Sequence, residues 1–86
     1  MYIFRTDAAD TIALAGIVQA QVAEKAGIDR HHLNRRINHR TPLRLTTAAN
    51  IARAFAELTR TSQGEALVRL FEEVADEDSS STTGEQ

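Results

Sequence analysis

The chain contains no cysteine, which removes disulfides and thiolate metal ligands from consideration and is compatible with a reducing cytoplasm. Proline occurs once and glycine four times, so little in the sequence interrupts helices. Aromatic residues make up only 5% against 42% apolar residues overall, and the core must be built largely from aliphatic side chains and alanine. No apolar run approaches the ~20 residues that span a bilayer. The longest, residues 12–18, includes Gly16, and the apolar residues 1–4 are followed at once by Arg5 and Asp7, too short for a signal peptide. The expectation is a cytoplasmic protein with no membrane partner. Its 86 residues suffice for one small domain, with stability on the order of 5 kcal/mol.

What is present is mostly helical patterning. Alanine is plentiful and no stretch alternates β-branched with polar residues, so the chain reads as all-α. A first helix is expected over residues 7–15, capped by Thr6 or Asp7, with Ala8, Ile12 and Ala15 as its stripe and Gly16 as its stop. A second spans 19–26 with Val22, Ala23 and Ala26 inward, although Val18 is a poor cap. Gly27 permits a tight turn, and Asp29 caps a third helix at 30–38 whose apolar edge is Leu33 and Ile37. Thr41-Pro42 interrupts helical structure. Thr46 or Thr47 caps a fourth helix at 48–59, with Ala48, Ile51, Ala52, Phe55 and Leu58 as its stripe. Ser62 and Glu65 form a capping box for a fifth helix reaching Ala75, with Leu67, Leu70, Phe71 and Val74 along one side and Glu65–Arg69 as an i,i+4 pair. These five helices make one domain, residues 1–75. Residues 76–86 are acidic and rich in Ser and Thr, with no apolar residue, and read as a disordered tail.

The net charge of −2 conceals a strong asymmetry. Asp76, Glu77, Asp78 and Glu85 hold four of the twelve acids, so residues 1–75 carry ten basic and eight acidic groups, a balance of +2. Residues 30–44 contain Arg30, Arg35, Arg36, Arg40 and Arg44 with three histidines and no acid. A locally basic face of this kind suits a polyanion.

The informative segment is residues 19–38. Two short helices that cross closely need a small residue at the contact, and Ala23 supplies it. At Gly27 a Cβ would be strained by positive φ. Ile28 and Leu33 pin the later helix to the core, leaving its opposite side available to a major groove about 12 Å wide.

Gln19, Ala23, Gly27 and Asp29 stand where the Cro/repressor-type (lambda-repressor-like) helix-turn-helix family of phage and bacterial regulators has its opening glutamine, crossing alanine, turn glycine and polar cap. The segment resembles that family. Downstream, Leu33-Asn-Arg-Arg-Ile-Asn38, Pro42 and Ala49-Asn-Ile-Ala-Arg-Ala54 look like its recognition helix, loop and fourth helix, so the similarity covers residues 15–58. Arg36 departs from it, standing where many relatives carry an apolar residue, which gives the packing role to Ile37. His39 replaces a common glycine. The resemblance implies a five-helix domain that binds duplex DNA as a transcriptional regulator, nucleoid-associated in a bacterial cell or phage-infected host.

With Leu33 and Ile37 inward at ~100° per residue, His31, Arg35 and Asn38 point outward, flanked by His32 and Asn34. Arginine bridges guanine O6 and N7 and asparagine pairs with adenine N6 and N7, which makes Arg35 and Asn34 apt base readers. Arg30, His31 and Asn38 complete the expected base-reading set, Arg30 from its place near the helix start, where family members commonly contact bases. Gln19 resembles the family glutamine that touches phosphate, aided by the amides of its helix N-terminus. His32, Arg36, His39, Arg40, Thr41 and Arg44 are the further candidates for phosphate contact.

Adjacent histidines on a helix point ~100° apart, and no carboxylate or cysteine completes a metal site beside His31 and His32. No metal, cofactor or catalysis is expected, since the sequence has no nucleotide-binding glycine loop, nucleophile elbow or paired inward carboxylates. The alternative function is an antitoxin-like or other protein-interaction module on the same fold. A homodimer is expected on DNA, since related regulators usually pair to read two half-sites, with Leu67, Leu70, Phe71 and Val74 as its surface; the competing reading is that these residues close the monomer's core.

Overall fold

A computed structural model describes residues 1–74, in which five helices enclose a single core and a small sheet closes one end. The element order is β1 (Tyr2–Phe4), α1 (Ala8–Leu14), α2 (Gln19–Ala26), α3 (Arg30–His39), α4 (Leu45–Thr59), α5 (Gln63–Leu70) and β2 (Phe71–Glu73). The expected tail, 76–86, lies outside the described residues.

The central helix is α4. Alanines at 48, 52, 54 and 56 let neighbouring helices approach closely, while Ile51 and Phe55 fill the space between them. Its principal neighbours are α2 and α5. The helix starts at Leu45, three residues before the sequence placed it. Thr46 and Thr47 therefore lie within its first turn, and Arg44 occupies the N-cap with no side-chain capping bond. The Arg44 carbonyl accepts from the Ala48 amide at 3.0 Å, so backbone geometry after Pro42 sets this start.

At α1, Asp7 stands at the N-cap but its carboxylate accepts from Arg5 Nε at 3.2 Å instead of capping. Ala8 and Ile12 are buried as expected; Ala15 is exposed, because the helix stops at Leu14. Gly16 follows with φ +82.

The fifth helix is shorter than its sequence pattern suggests. Ser62 Oγ accepts from the Glu65 amide at 3.1 Å and Glu65 pairs with Arg69 at 2.6 Å, both as the capping and spacing rules require. At Phe71, however, the backbone turns extended (φ −127, ψ 159). Phe71–Glu73 then pairs antiparallel with Tyr2–Phe4, in the register Tyr2↔Glu73, Ile3↔Glu72, Phe4↔Phe71. The chain is thus mostly helical, consistent with an all-α domain, with one short antiparallel strand pair added. The cause is hydrophobic: Phe4 and Phe71 are both buried and their rings lie 4.5 Å apart, tilted by 33°. Burying each phenyl is worth ~2–3 kcal/mol, which outweighs one further turn of an acidic helix. On its other side Tyr2 exchanges backbone hydrogen bonds with Leu43, at 2.8 and 2.7 Å.

This arrangement overturns the expected dimer surface. Leu70 is fully buried and Phe71 nearly so, and Leu67 packs partly against the core. The stripe holds the monomer together. The apolar side chain that α5 leaves outside is Val68, 70% exposed.

Candidate functional site

The pair α2–α3 is built by local rules. Gly27 ends α2 in the left-handed region, φ 76, with the Ile28 amide donating back to the Ala23 carbonyl at 2.9 Å. A Cβ there would meet nothing within 4 Å, so backbone conformation, rather than space, selects glycine. Two residues later Asp29 Oδ1 accepts from the His31 amide at 3.0 Å and starts α3. Ala23 is buried at the crossing, Ile28 packs against the core, and Leu33 and Ile37 face inward. Val18, the poor cap, receives help from Gln21, whose Oε1 accepts from the Val18 amide at 2.9 Å.

This anchoring leaves the opposite side of α3 to solvent. Arg30, His31, His32, Asn34, Arg35, Asn38 and His39 are exposed, as are Thr41 and Arg44 in the segment that follows, and Arg36 is half-buried. Three residues singled out separately in the sequence prove to be connected. Asn34 Nδ2 donates to Gln19 Oε1 at 3.0 Å, and Asn38 Nδ2 donates to Asn34 Oδ1 at 3.0 Å. The first residue of α2 is thereby tied to the outer face of α3. Each of the three amides keeps donor or acceptor capacity beyond these bonds. A shallow cleft of about 260 Å³ lies beside it, lined by Gln19, Ala20, Arg30, His31 and Asn34.

One expected contact residue has other work. Arg40 caps α3 in the left-handed region, φ 49. Its Nε donates to the Phe4 carbonyl at 3.0 Å and its guanidinium pairs with Glu72 at 2.6 Å. Arg40 ties the end of α3 to both strands, and Glu72 meets its charge.

The remaining cations divide cleanly. Arg5, Lys25, Arg40, Arg53 and Arg69 each lie in an ion pair. Arg30, Arg35, Arg36 and Arg44 have no acidic partner among the described residues, and of the other arginines only Arg60 shares that condition. Among the described residues, positive charge without an acidic partner is therefore concentrated on α3 and the segment after it.

Sequence reasoning missed the brace behind α2. Asn50 Nδ2 donates to the Ala26 carbonyl at 2.8 Å, satisfying an otherwise open helix end. Arg53 donates to Asn50 Oδ1 at 2.7 Å and to Glu57 at 2.9 Å, and Lys25 approaches Glu57 at 3.6 Å. The Arg53 hydrogen bond holds the Glu57 carboxyl below the usual carboxylate range; slight desolvation opposes it, and the charges of Arg53 and Lys25 assist it. The available signal was Asn50 itself, a lone amide within an apolar helix.

Among the described residues no group of three His, Asp or Glu side chains is placed to hold a metal ion, and no helix is long and apolar enough to cross a membrane. Comparisons with protein-family models, with curated proteins and with solved structures find no match.

Proposed function

We propose that this chain is a sequence-specific duplex-DNA-binding transcriptional regulator of the Cro/repressor type, a binding protein rather than an enzyme, which reads the major groove with α3. The observation that carries the reading is the distribution of unpaired arginine. Four of the five arginines without an acidic partner among the described residues lie on α3 or just after it. Holding like charges together on one helix is unfavourable in isolation and becomes favourable against a polyanion.

The roles follow from chemistry. Arg35, exposed and unpaired, suits guanine O6 and N7, and Arg30 stands at the helix start. Asn34 enters the groove already oriented by Gln19 and Asn38, which lowers the entropy lost on contact. Gln19 keeps its amide donors for a phosphate at the start of α2. Arg36 and Arg44 contribute charge along the backbone, with His31, His32, His39 and Thr41 at the margins. A second reading, a protein-interaction module, draws support from exposed Leu14 and Val68, which line a cleft of about 560 Å³ between α1 and α5.

Binding-site selection on random duplexes, followed by fluorescence anisotropy of the enriched site across salt concentrations, tests the proposal. With Arg36 and Arg44 neutralising phosphates on each protomer, log K should fall against log salt with a slope of about −2. Failure to enrich any duplex, with a flat salt response, would leave the interaction-module reading in its place.

A further inference from the structure

We propose that Thr41 is a phosphorylation site for an ATP-dependent protein kinase that reads threonine before proline. Arg36 and Arg44 hold the added phosphoryl group, and the cationic face of α3 closes to duplex DNA. That DNA is what is released rests on the reading above; the modification and its capture by arginine do not.

The serine and threonine hydroxyls of the described residues differ in what surrounds them. Thr11 and Thr59 donate to carbonyls four residues back, at 3.0 and 2.8 Å. Thr61 meets Thr59 at 2.9 Å, and Ser62 caps α5. Thr46 and Thr47 lie in the first turn of α4. Thr6 is followed by Asp7 and Asp10, whose carboxylates repel a phosphoryl group. Thr41 is exposed, stands between α3 and α4 outside either helix, and precedes the chain's single proline. Pro42 disfavours helical geometry at Thr41, which leaves an extended segment of the kind a kinase cleft accepts.

The surroundings also suit the product. The Thr41 amide donates to the Arg36 carbonyl at 3.3 Å, so Arg36 borders it across the end of α3. Arg44 follows three residues later, no more than about 11 Å along the chain. Neither arginine has an acidic partner among the described residues. Residues 30–44 contain no acid, and Glu72, which reaches this end of α3, is met by Arg40. A phosphothreonine carries about −1.5 to −2 charge and three acceptor oxygens, enough to offset Arg36 and Arg44 together. In the transfer, Thr41 Oγ1 attacks the γ-phosphorus of ATP. The new Oγ1–P bond forms as the bond from that phosphorus to the β,γ-bridging oxygen breaks; ADP leaves with the electron pair, and the hydroxyl proton passes to the kinase's catalytic carboxylate.

The test incubates the full chain with magnesium-ATP and a purified proline-directed serine/threonine kinase, with Thr41→Val as control, and maps the product by mass spectrometry. One phosphoryl group is expected on Thr41 and none on the variant. No incorporation, or incorporation at another residue only, would overturn the proposal. In the product, the Nε–H resonances of Arg36 and Arg44 should move while those of Arg53 and Arg69 stay. The second ionisation of the phosphate, followed by its phosphorus resonance, should lie lower than in the modified double variant Arg36→Gln, Arg44→Gln. Unmoved Arg36 and Arg44 resonances, or the same ionisation in both proteins, would count against the capture and overturn it. On duplex DNA the salt slope should shrink from about −2 toward zero, and affinity at about 0.1 M salt should drop by about 10- to 100-fold. Equal duplex binding by the modified and unmodified chains would overturn the proposal and leave the regulator reading standing. Arginine shifts with no duplex binding by the unmodified chain would uphold the site and reject the regulator reading.

Discussion

Replacing Arg40 by alanine separates an arginine that holds the fold from the arginines proposed to meet DNA most sharply. The side chain makes two contacts, a half-buried hydrogen bond to the Phe4 carbonyl and an ion pair with Glu72 whose side chains are 37% and 45% exposed. A hydrogen bond from a charged donor is worth about 1.5 kcal/mol or somewhat more. Solvent screens the partly exposed ion pair, which adds no more than about 0.5 kcal/mol. The loss is therefore about 2 kcal/mol, and for a domain of this length the melting temperature should fall by roughly 8–16 °C. Position 40 also has φ 49, which any Cβ resists. Arg40→Gly should accordingly be about 1 kcal/mol less damaging than Arg40→Ala. Calorimetric melts of both variants, with anisotropy titrations well below the transition, supply the measurements. The salt slope of Arg40→Ala on duplex DNA should match that of the parent. An unchanged melting temperature with uniformly weaker binding and a shallower slope would refute the reasoning and return Arg40 to the phosphate contacts.

Four other outcomes are expected. Arg35→Ala should cost ~1–3 kcal/mol on the selected site and relax its sequence preference, whereas Arg44→Ala should weaken all duplexes alike, as competition assays would reveal. Leu70→Asp should unfold the monomer rather than dissociate a dimer, because Leu70 is fully buried; circular dichroism with sedimentation distinguishes the two. Asp29→Ala should lower stability by about 1 kcal/mol through loss of the cap to His31, seen as a reduced urea midpoint with unchanged m-value. Glu57 has a lowered folded-state pKa, so its contribution is present at neutral pH and fades as pH falls through that value; Arg53→Met should flatten this part of the acid limb in melts followed against pH.

What the sequence disclosed follows the range over which each signal acts. The bounds of α2 and the start of α3 are set by Gly27 and Asp29 within a few residues of themselves, and the structure places both where the pattern does. The inward set Val22, Ala23, Leu33 and Ile37 follows from a period that needs no knowledge of the partner. Phe71 is the opposite case. Its spacing from Leu67 and Leu70 suits a helix, and only its partner Phe4, distant in sequence and adjacent in space, makes a strand preferable. Arg40 was ambiguous for the same reason, since Glu72 lies 32 positions away.

That contrast bears on the candidate site itself. The outward face of α3 is legible because it is defined by what it avoids, the core, and helical geometry states this directly. Which outward groups remain available is a tertiary matter. Folding removes Arg40 from the face and links Gln19, Asn34 and Asn38 into one hydrogen-bonded unit. The two changes act in the same sense. A site with five independent arginines would bind through a broad electrostatic field and discriminate little. With Arg40 withdrawn, charge is reduced by one, while the amides of Asn34 and Asn38 are held in a defined orientation to present directional donors and acceptors. Affinity from phosphate falls with each cation lost, but discrimination between base edges rises with each polar group fixed before contact. In this reading the arrangement on α3 shifts the balance from general attraction toward selection of sequence.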